Sequence, residues 1–172
     1  MIYTFRFISD EEESFMIDVN INHNQTFEQL HKFIQKTLKF DDGQLASFFT
    51  SNEQWEKIDE VTLLVMDDDS DVSVMKDTYI GDFFSEKNER ILYVFDYLNE
   101  RLFFGSITRA IDAKSPIKLP SVSKLEGKIP PQFKEVEYKE VEEKTLNDFD
   151  DEEDFDFDDI PDDYGDFNPN DY

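Results

Sequence analysis

The stretch TFEQLHKFIQKTLKF, residues 26–40, decides the fold class. Phe27, Leu30, Ile34 and Leu38 recur at helical spacing, and Phe33 widens the apolar stripe. Thr26 and Gln29 have the spacing of a capping box, in which a hydroxyl accepts from a free N–H of the first turn. Lys36 and Lys39 fall in the last turns, where cations suit the helix dipole, and Asp41-Asp42-Gly43 follows as a stop. The spacing predicts one amphipathic helix ending near Lys39–Phe40.

Upstream of this helix the period is two. Tyr3, Phe5 and Phe7 alternate with Thr4 and Arg6, and Phe15, Ile17, Val19 and Ile21 alternate with Met16, Asp18 and Asn20. Each run predicts a half-buried strand, and Ser9 to Glu13 suits the loop of a hairpin. Downstream, Leu45–Thr50 and the apolar run Val61–Met66 read as strands, and Tyr79–Phe84 as a short helical turn. Ile91–Ile107 predicts a second hairpin, with Tyr93, Phe95 and Tyr97 on one face and Asn99-Glu100 in the turn. The fold class is therefore α+β, a mixed or antiparallel sheet with one main helix. The order strand–strand–helix–strand is β-grasp-like.

Composition divides the chain further. The 172 residues hold 17 Lys+Arg against 42 Asp+Glu, a formal charge of −25. Residues 141–172 hold 15 acids and one base, so that segment carries −14 and the first 140 residues carry −11. The expected division is an α+β domain over 1–111, a Pro- and Lys-containing linker or wrap over 112–144, and an acidic aromatic tail over 145–172. An edge strand or short helix is expected within 132–144, and the tail's composition predicts disorder. A polyanion is repelled by phosphate and by anionic membrane surfaces, so neither nucleic acid nor membrane is an expected partner. The expected partner is a basic protein surface.

There is no cysteine, which removes disulfides and thiolate metal sites. The N-terminal MIYTFRFISDEEE lacks a basic and apolar leader pattern, and no apolar run approaches the ~18 residues of a membrane span. The expected compartment is the cytoplasm.

Thr26, Phe27, Leu30, His31, Ile34, Gln35, Leu45 and Phe48 resemble a signature of the plasmid pRi ORF-3-like family. In ILYVFDYLNERLFF, Tyr93 and Asp96 match that family's second signature, with Phe95 and Tyr97 as aromatic swaps. The family usually carries Trp where Phe40 stands, His at Gln44, and a Gly-Asp followed by Trp where this chain has Leu98-Asn99-Glu100-Arg101. The resemblance covers roughly residues 1–110. It implies a protein carried by plasmids and insertion sequences, and it names no reaction.

His31 and Asp96 are the candidate polar pair. Asp96 should share a strand face with Leu92 and Val94, where a carboxylate needs a partner such as Arg101 or His31. A structural pair is the simplest account; the rival reading is an enzyme or metal protein using the same two side chains. Asp67, Asp69 and Asp71 have the start of a calcium-loop spacing, but Val72 and Thr78 stand where Gly and Glu are needed. No phosphate-cradling glycine loop or nucleophile elbow occurs. No catalytic, cofactor-binding or metal-binding residue is assigned, and no cofactor is expected. In the tail, Phe149, Phe155, Phe157, Ile160, Phe167 and Tyr172 are the candidate partner-binding residues, because solvation explains the acids but not the rings. The tail then reads as a solubilising, self-repelling extension, as a recruitment segment, or as a mimic of single-stranded nucleic acid.

Overall fold

Thr26 is the N-cap of helix α1 (Phe27–Leu38), and both halves of the capping box form. Its hydroxyl accepts from Gln29 N–H at 3.3 Å, while the Gln29 side chain accepts from Thr26 N–H at 3.0 Å. Lys39 closes the helix in the left-handed region at φ 59°. The α1 stripe of Phe27, Leu30, Ile34 and Leu38 is buried.

The computed structural model describes residues 1–65, 72–112 and 118–133. These build one eight-stranded sheet from β1 (Ile2–Ile8), β2 (Met16–Asn22), β3 (Ser47–Ser51), β4 (Lys57–Thr62), β5 (Ser73–Val74), β6 (Arg90–Asp96), β7 (Arg101–Ile111) and β8 (Ser121–Glu126). The spatial order is β5-β4-β3-β6-β7-β1-β2-β8. Every neighbouring pair is antiparallel except β4 and β5, so the sheet is mixed. A short helix α2 (Ile80–Phe83) follows β5. One mixed sheet with few helices makes the chain α+β or mostly β, and both expected hairpins form as β1–β2 and β6–β7. Among the described residues, no helix is long and apolar enough to cross a membrane.

The core lies between the helices and one sheet face. Tyr3, Phe5 and Phe7 of β1, Ile17, Val19 and Ile21 of β2, and Tyr93 and Phe95 of β6 point into it. Phe27 of α1 meets Phe48 of β3 and Phe83 and Phe84 of the α2 segment at 5.4–6.2 Å between ring centroids. Gly105 of β7 sits where this layer is tightest. A Cβ there would fall 2.5 Å from Ile91 Cγ2 and 2.7 Å from Phe7 Cε1. Gly105→Ala is therefore expected to lower stability by about 1–3 kcal/mol, read as a lower urea midpoint with the slope unchanged.

Two strand bounds differ from expectation. The apolar run Val61–Met66 suggested a strand, but β4 starts earlier, at Lys57, and ends at Thr62. Only the two residues of β5 lie outside it, so most of β4 faces solvent and just Val61 is buried. Tyr97 was placed on the Tyr93 face; it lies beyond the end of β6, and its hydroxyl meets Ser47 and, at 2.9 Å, Glu60. The Pro- and Lys-containing stretch supplies β8, which pairs antiparallel with β2. The edge element expected within 132–144 lies outside the described residues past Phe133, as does the whole tail.

Candidate functional site

His31 faces inward from the middle of α1 and is 1 % exposed. Its Nδ1 lies 2.8 Å from the Tyr93 hydroxyl, which also accepts from Gln35 Nε2 at 2.6 Å. His31 and Gln35 are four apart, so one helix face presents both to the ring that β6 places beneath them. The hydroxyl has one proton. With Gln35 donating to it, that proton goes to Nδ1, so His31 is the neutral tautomer with hydrogen on Nε2. Burial, with Lys32 nearby, lowers its pKa from 6.5 to about 4. Burial also raises the Tyr93 pKa. The chain from Gln35 to Tyr93 to His31 is an aligned set of donors that ties α1 to β6 inside the core. Glu28 and Asp42 pull the His31 pKa upward, but burial outweighs them and leaves the ring neutral at neutral pH.

Asp96 stands elsewhere. The β6–β7 register shifts between Val94 and Asp96, which brings Asp96 opposite Arg101. Its carboxylate accepts from Asn99 N–H at 3.2 Å and Asn99 Nδ2 at 2.8 Å, fixing the turn, and lies 3.6 Å from Arg101 Nη1. Among the described residues no hydrogen bond or ion pair joins His31 to Asp96; each belongs to its own network. Asp96 meets the partner expected of a buried acid, Arg101.

Arg101 is the centre of that second network and is 4 % exposed. Its guanidinium grips Glu11 through Nε and Nη2 at 2.7–3.0 Å, and donates from Nη1 to Gln132 O at 2.7 Å and from Nη2 to Pro131 O at 2.5 Å. It also lies 5.1 Å from the Phe95 ring centroid. One residue thus fastens the β1–β2 loop, the β6–β7 turn and the segment after β8. Gln132 completes the fastening by accepting from Asp41 N–H at 2.5 Å and donating to Asp41 O at 2.8 Å. A cleft of 440 Å³ lies between this segment and the C-terminal end of α1, lined by Leu38, Phe40, Ile129, Pro131 and Phe133 among others.

The outer sheet face carries a group that alternation alone did not expose. Cross-strand register sets Glu60, Phe49, Leu92, Phe104, Ile8 and Met16 in one row across six strands. The next row runs Lys57, Ser51, Arg90, Ser106, Arg6 and Asp18. Trp55 lies over this face with its ring 5.1 Å from Phe104, edge to face. Arg90 sits 4.7 Å from the Trp55 ring centroid, and Lys57 sits 4.5 Å from that of Phe49. The signal in the sequence was RILYVFD in β6, apolar on both faces, which marks a strand whose second face is also used.

The tail candidates Phe149, Phe155, Phe157, Ile160, Phe167 and Tyr172 lie outside the described residues, as do Asp67, Asp69 and Asp71. Among the described residues, no three His, Asp or Glu side chains cluster as metal ligands.

No curated protein matches the chain. A crystal structure of a protein of unknown function from Methanosarcina mazei Go1 is similar, with TM-score 0.57 and 20% identity, covering 72% of this chain and 68% of that one. At that identity the likeness concerns the fold. The family model described as plasmid pRiA4b ORF-3-like protein matches residues 8–172. The match corrects the expected limit near residue 110, because it takes in the Pro- and Lys-containing stretch and the acidic tail. Of the hairpin-signature residues Tyr93 joins the His31 network and Asp96 the Arg101 network, and the chain belongs to the plasmid pRiA4b ORF-3-like protein family.

Proposed function

We propose that the chain is a non-catalytic interaction protein of mobile-element type that engages partners through their basic surfaces. The observation that carries this reading is the fate of its two family-signature polar residues. The rival reading, an enzyme or metal protein using His31 and Asp96, needs the two together in an open pocket; His31 instead bonds Tyr93 and Asp96 lies by Arg101. The chain carries a formal charge of −25, of which −14 falls in residues 141–172. Such a charge speeds encounter with a cationic surface and falls off with salt. The tail rings supply apolar contacts that charge alone lacks, whether they recruit a partner or stand in for stacked bases.

The test is a titration of the full chain with a synthetic peptide of alternating Arg and Leu at several salt concentrations. Binding is expected, weakening as salt rises. Replacing Phe149, Phe155, Phe157 and Phe167 by Ser keeps every charge and is expected to weaken it by roughly tenfold. No binding at low salt would sink the reading. Equal binding by the Ser variant would leave the rings with no part in it.

A further inference from the structure

Strand β8 closes one end of the sheet, and among the described residues β2 is the strand it pairs with. From Val122 to Glu126 it is exposed. The chain leaves β8 toward the loops that flank β2. Before the strand, Leu119 O accepts from Gln25 Nε2 at 2.9 Å. After it, Gly127 takes φ 77° and packs on Ser14 so closely that no side chain would fit. The far side of β8 is left open, and an open edge is a template for another strand.

Ladder alternation shows which backbone groups face that side. His23 N–H donates to Met1 O at 3.0 Å, just past the ends of β1 and β2, so Met1 and His23 are a bonded pair. The β1–β2 register is unbroken from there. Ile17, Val19 and Ile21 therefore turn their N–H and C=O groups to β1, and Met16, Asp18 and Asn20 turn theirs to β8. Lys124 and Glu126 stand opposite Asp18 and Met16 and bond to β2, so Leu125 between them points its N–H and C=O outward. The side chains of Lys124 and Glu126 lie on the outer sheet face and that of Leu125 on the inner one.

This stretch is complementary to itself in one register. A two-fold must pass through Lys124, Leu125 or Glu126, because any intermediate register sets inner side chains against outer ones. Centred on Lys124 it opposes lysine to lysine, and centred on Glu126 it opposes glutamate to glutamate. Centred on Leu125 it sets each Lys124 opposite the other copy's Glu126 and joins the two outward Leu125 backbones as a bonded pair. Opposite charges across strands stabilise, and like charges destabilise. Lysines and bulges guard edges against indiscriminate pairing. Here Lys124 and the register shift beside it disfavour the other registers and leave this one.

The charges around β8 balance, in a chain where acids outnumber bases 42 to 17. Lys124 Nζ lies 3.0 Å from Glu126 Oε2 in the same chain, and both side chains stay half exposed, at 45% and 54%. Asp18 is matched by Arg6 at 2.8 Å and Lys128 by Glu12 at 2.7 Å. Lys118 before β8 and Glu13 beside Ser14 have no ion pair among the described residues, and their charges are opposite. We infer that β8 pairs antiparallel with β8 of a second copy of this chain, in the register centred on Leu125, so that two sheets join edge to edge. The paired stretch is short and each chain carries −25, so the association is weak and needs salt to screen the repulsion.

The experiment is sedimentation equilibrium of the full chain, up to about 1 mM and in about 0.5 M salt. A monomer–dimer equilibrium is expected. Leu125→Pro deletes the outward N–H and no bond to β2, and is expected to weaken association by roughly tenfold or more without moving the thermal midpoint. Lys124→Glu alone and Glu126→Lys alone each oppose like charges and are expected to weaken it too. Mixed in equal amounts, those two variants are expected to pair with each other about as well as the parent pairs with itself. The inference is overturned by a parent that stays monomeric over the whole range, by a dimer that Leu125→Pro leaves at full strength, or by a mixture that associates no better than its separate chains. A monomer whose Leu125 amide resists hydrogen exchange gives the edge to another segment of the same chain and overturns it as well.

Discussion

Arg101→Ala is expected to cost the fold about 3–5 kcal/mol, because it removes one partner from a buried, hydrogen-bonded ion cluster. Total stabilities of domains run to about 5–15 kcal/mol, so the loss is a large share of what holds the body folded. The magnitude follows from what the guanidinium holds. Glu11 loses its bidentate guanidinium, Asp96 loses its cation, and the carbonyls of Pro131 and Gln132 lose their donors. Arg101→Lys keeps the charge but not the planar fork, and should recover only part of the loss. Gln132→Ala, which removes two bonds to Asp41 at the far end of the same segment, should cost about 1–3 kcal/mol. Urea unfolding gives these differences. Hydrogen exchange across residues 129–133 then shows whether the segment loosens before the sheet does. An Arg101→Ala chain within about 0.5 kcal/mol of the parent would mean that the cluster does not hold the body together.

Where sequence reasoning succeeded, the physics was local. The α1 boundaries follow from Thr26, Gln29 and the stripe, all within one helix, and the structure reproduces them. The β1–β2 hairpin follows from alternation over short runs. What the order of elements did not determine is which strand lies beside β1. That neighbour is β7, about a hundred residues away in the chain and antiparallel. Arg101 was named only as one partner for Asp96; its grip on Glu11, 90 residues off, depends on sheet order and so was hidden. Asp96 was expected beside Leu92 and Val94 on one face, but the bulge after Val94 turned it to Arg101. Trp55 was hidden for a different reason. Its position depends on a left-handed backbone turn that nothing in Asn52–Glu56 announces without a glycine.

The His31 network predicts a pH dependence of its own. In the folded chain the His31 pKa is lowered from 6.5 to about 4, chiefly by burial. Above pH 6.5 the imidazole is neutral in both states and costs nothing. Between pH 6.5 and about 4 the unfolded chain takes up a proton that the folded chain refuses, so stability falls as pH falls. At 1.36 kcal/mol per unit, the loss from this one group reaches about 3 kcal/mol at the lower limit. Protonation would also put a hydrogen on Nδ1 facing the Tyr93 hydroxyl, whose own proton would then have no acceptor. Carboxylates titrate in part of the same range, so the useful quantity is a difference between two chains. His31→Gln fills much of the same space, keeps an oxygen for the Tyr93 hydroxyl, and does not titrate. Relative to that variant, the parent should be steady from pH 8 to roughly 6.5 and then lose about 3 kcal/mol by pH 4. Denaturant midpoints across that range measure it. Parallel curves for the two chains would mean that His31 is protonated as easily inside the fold as outside it, which its burial against Tyr93 does not permit.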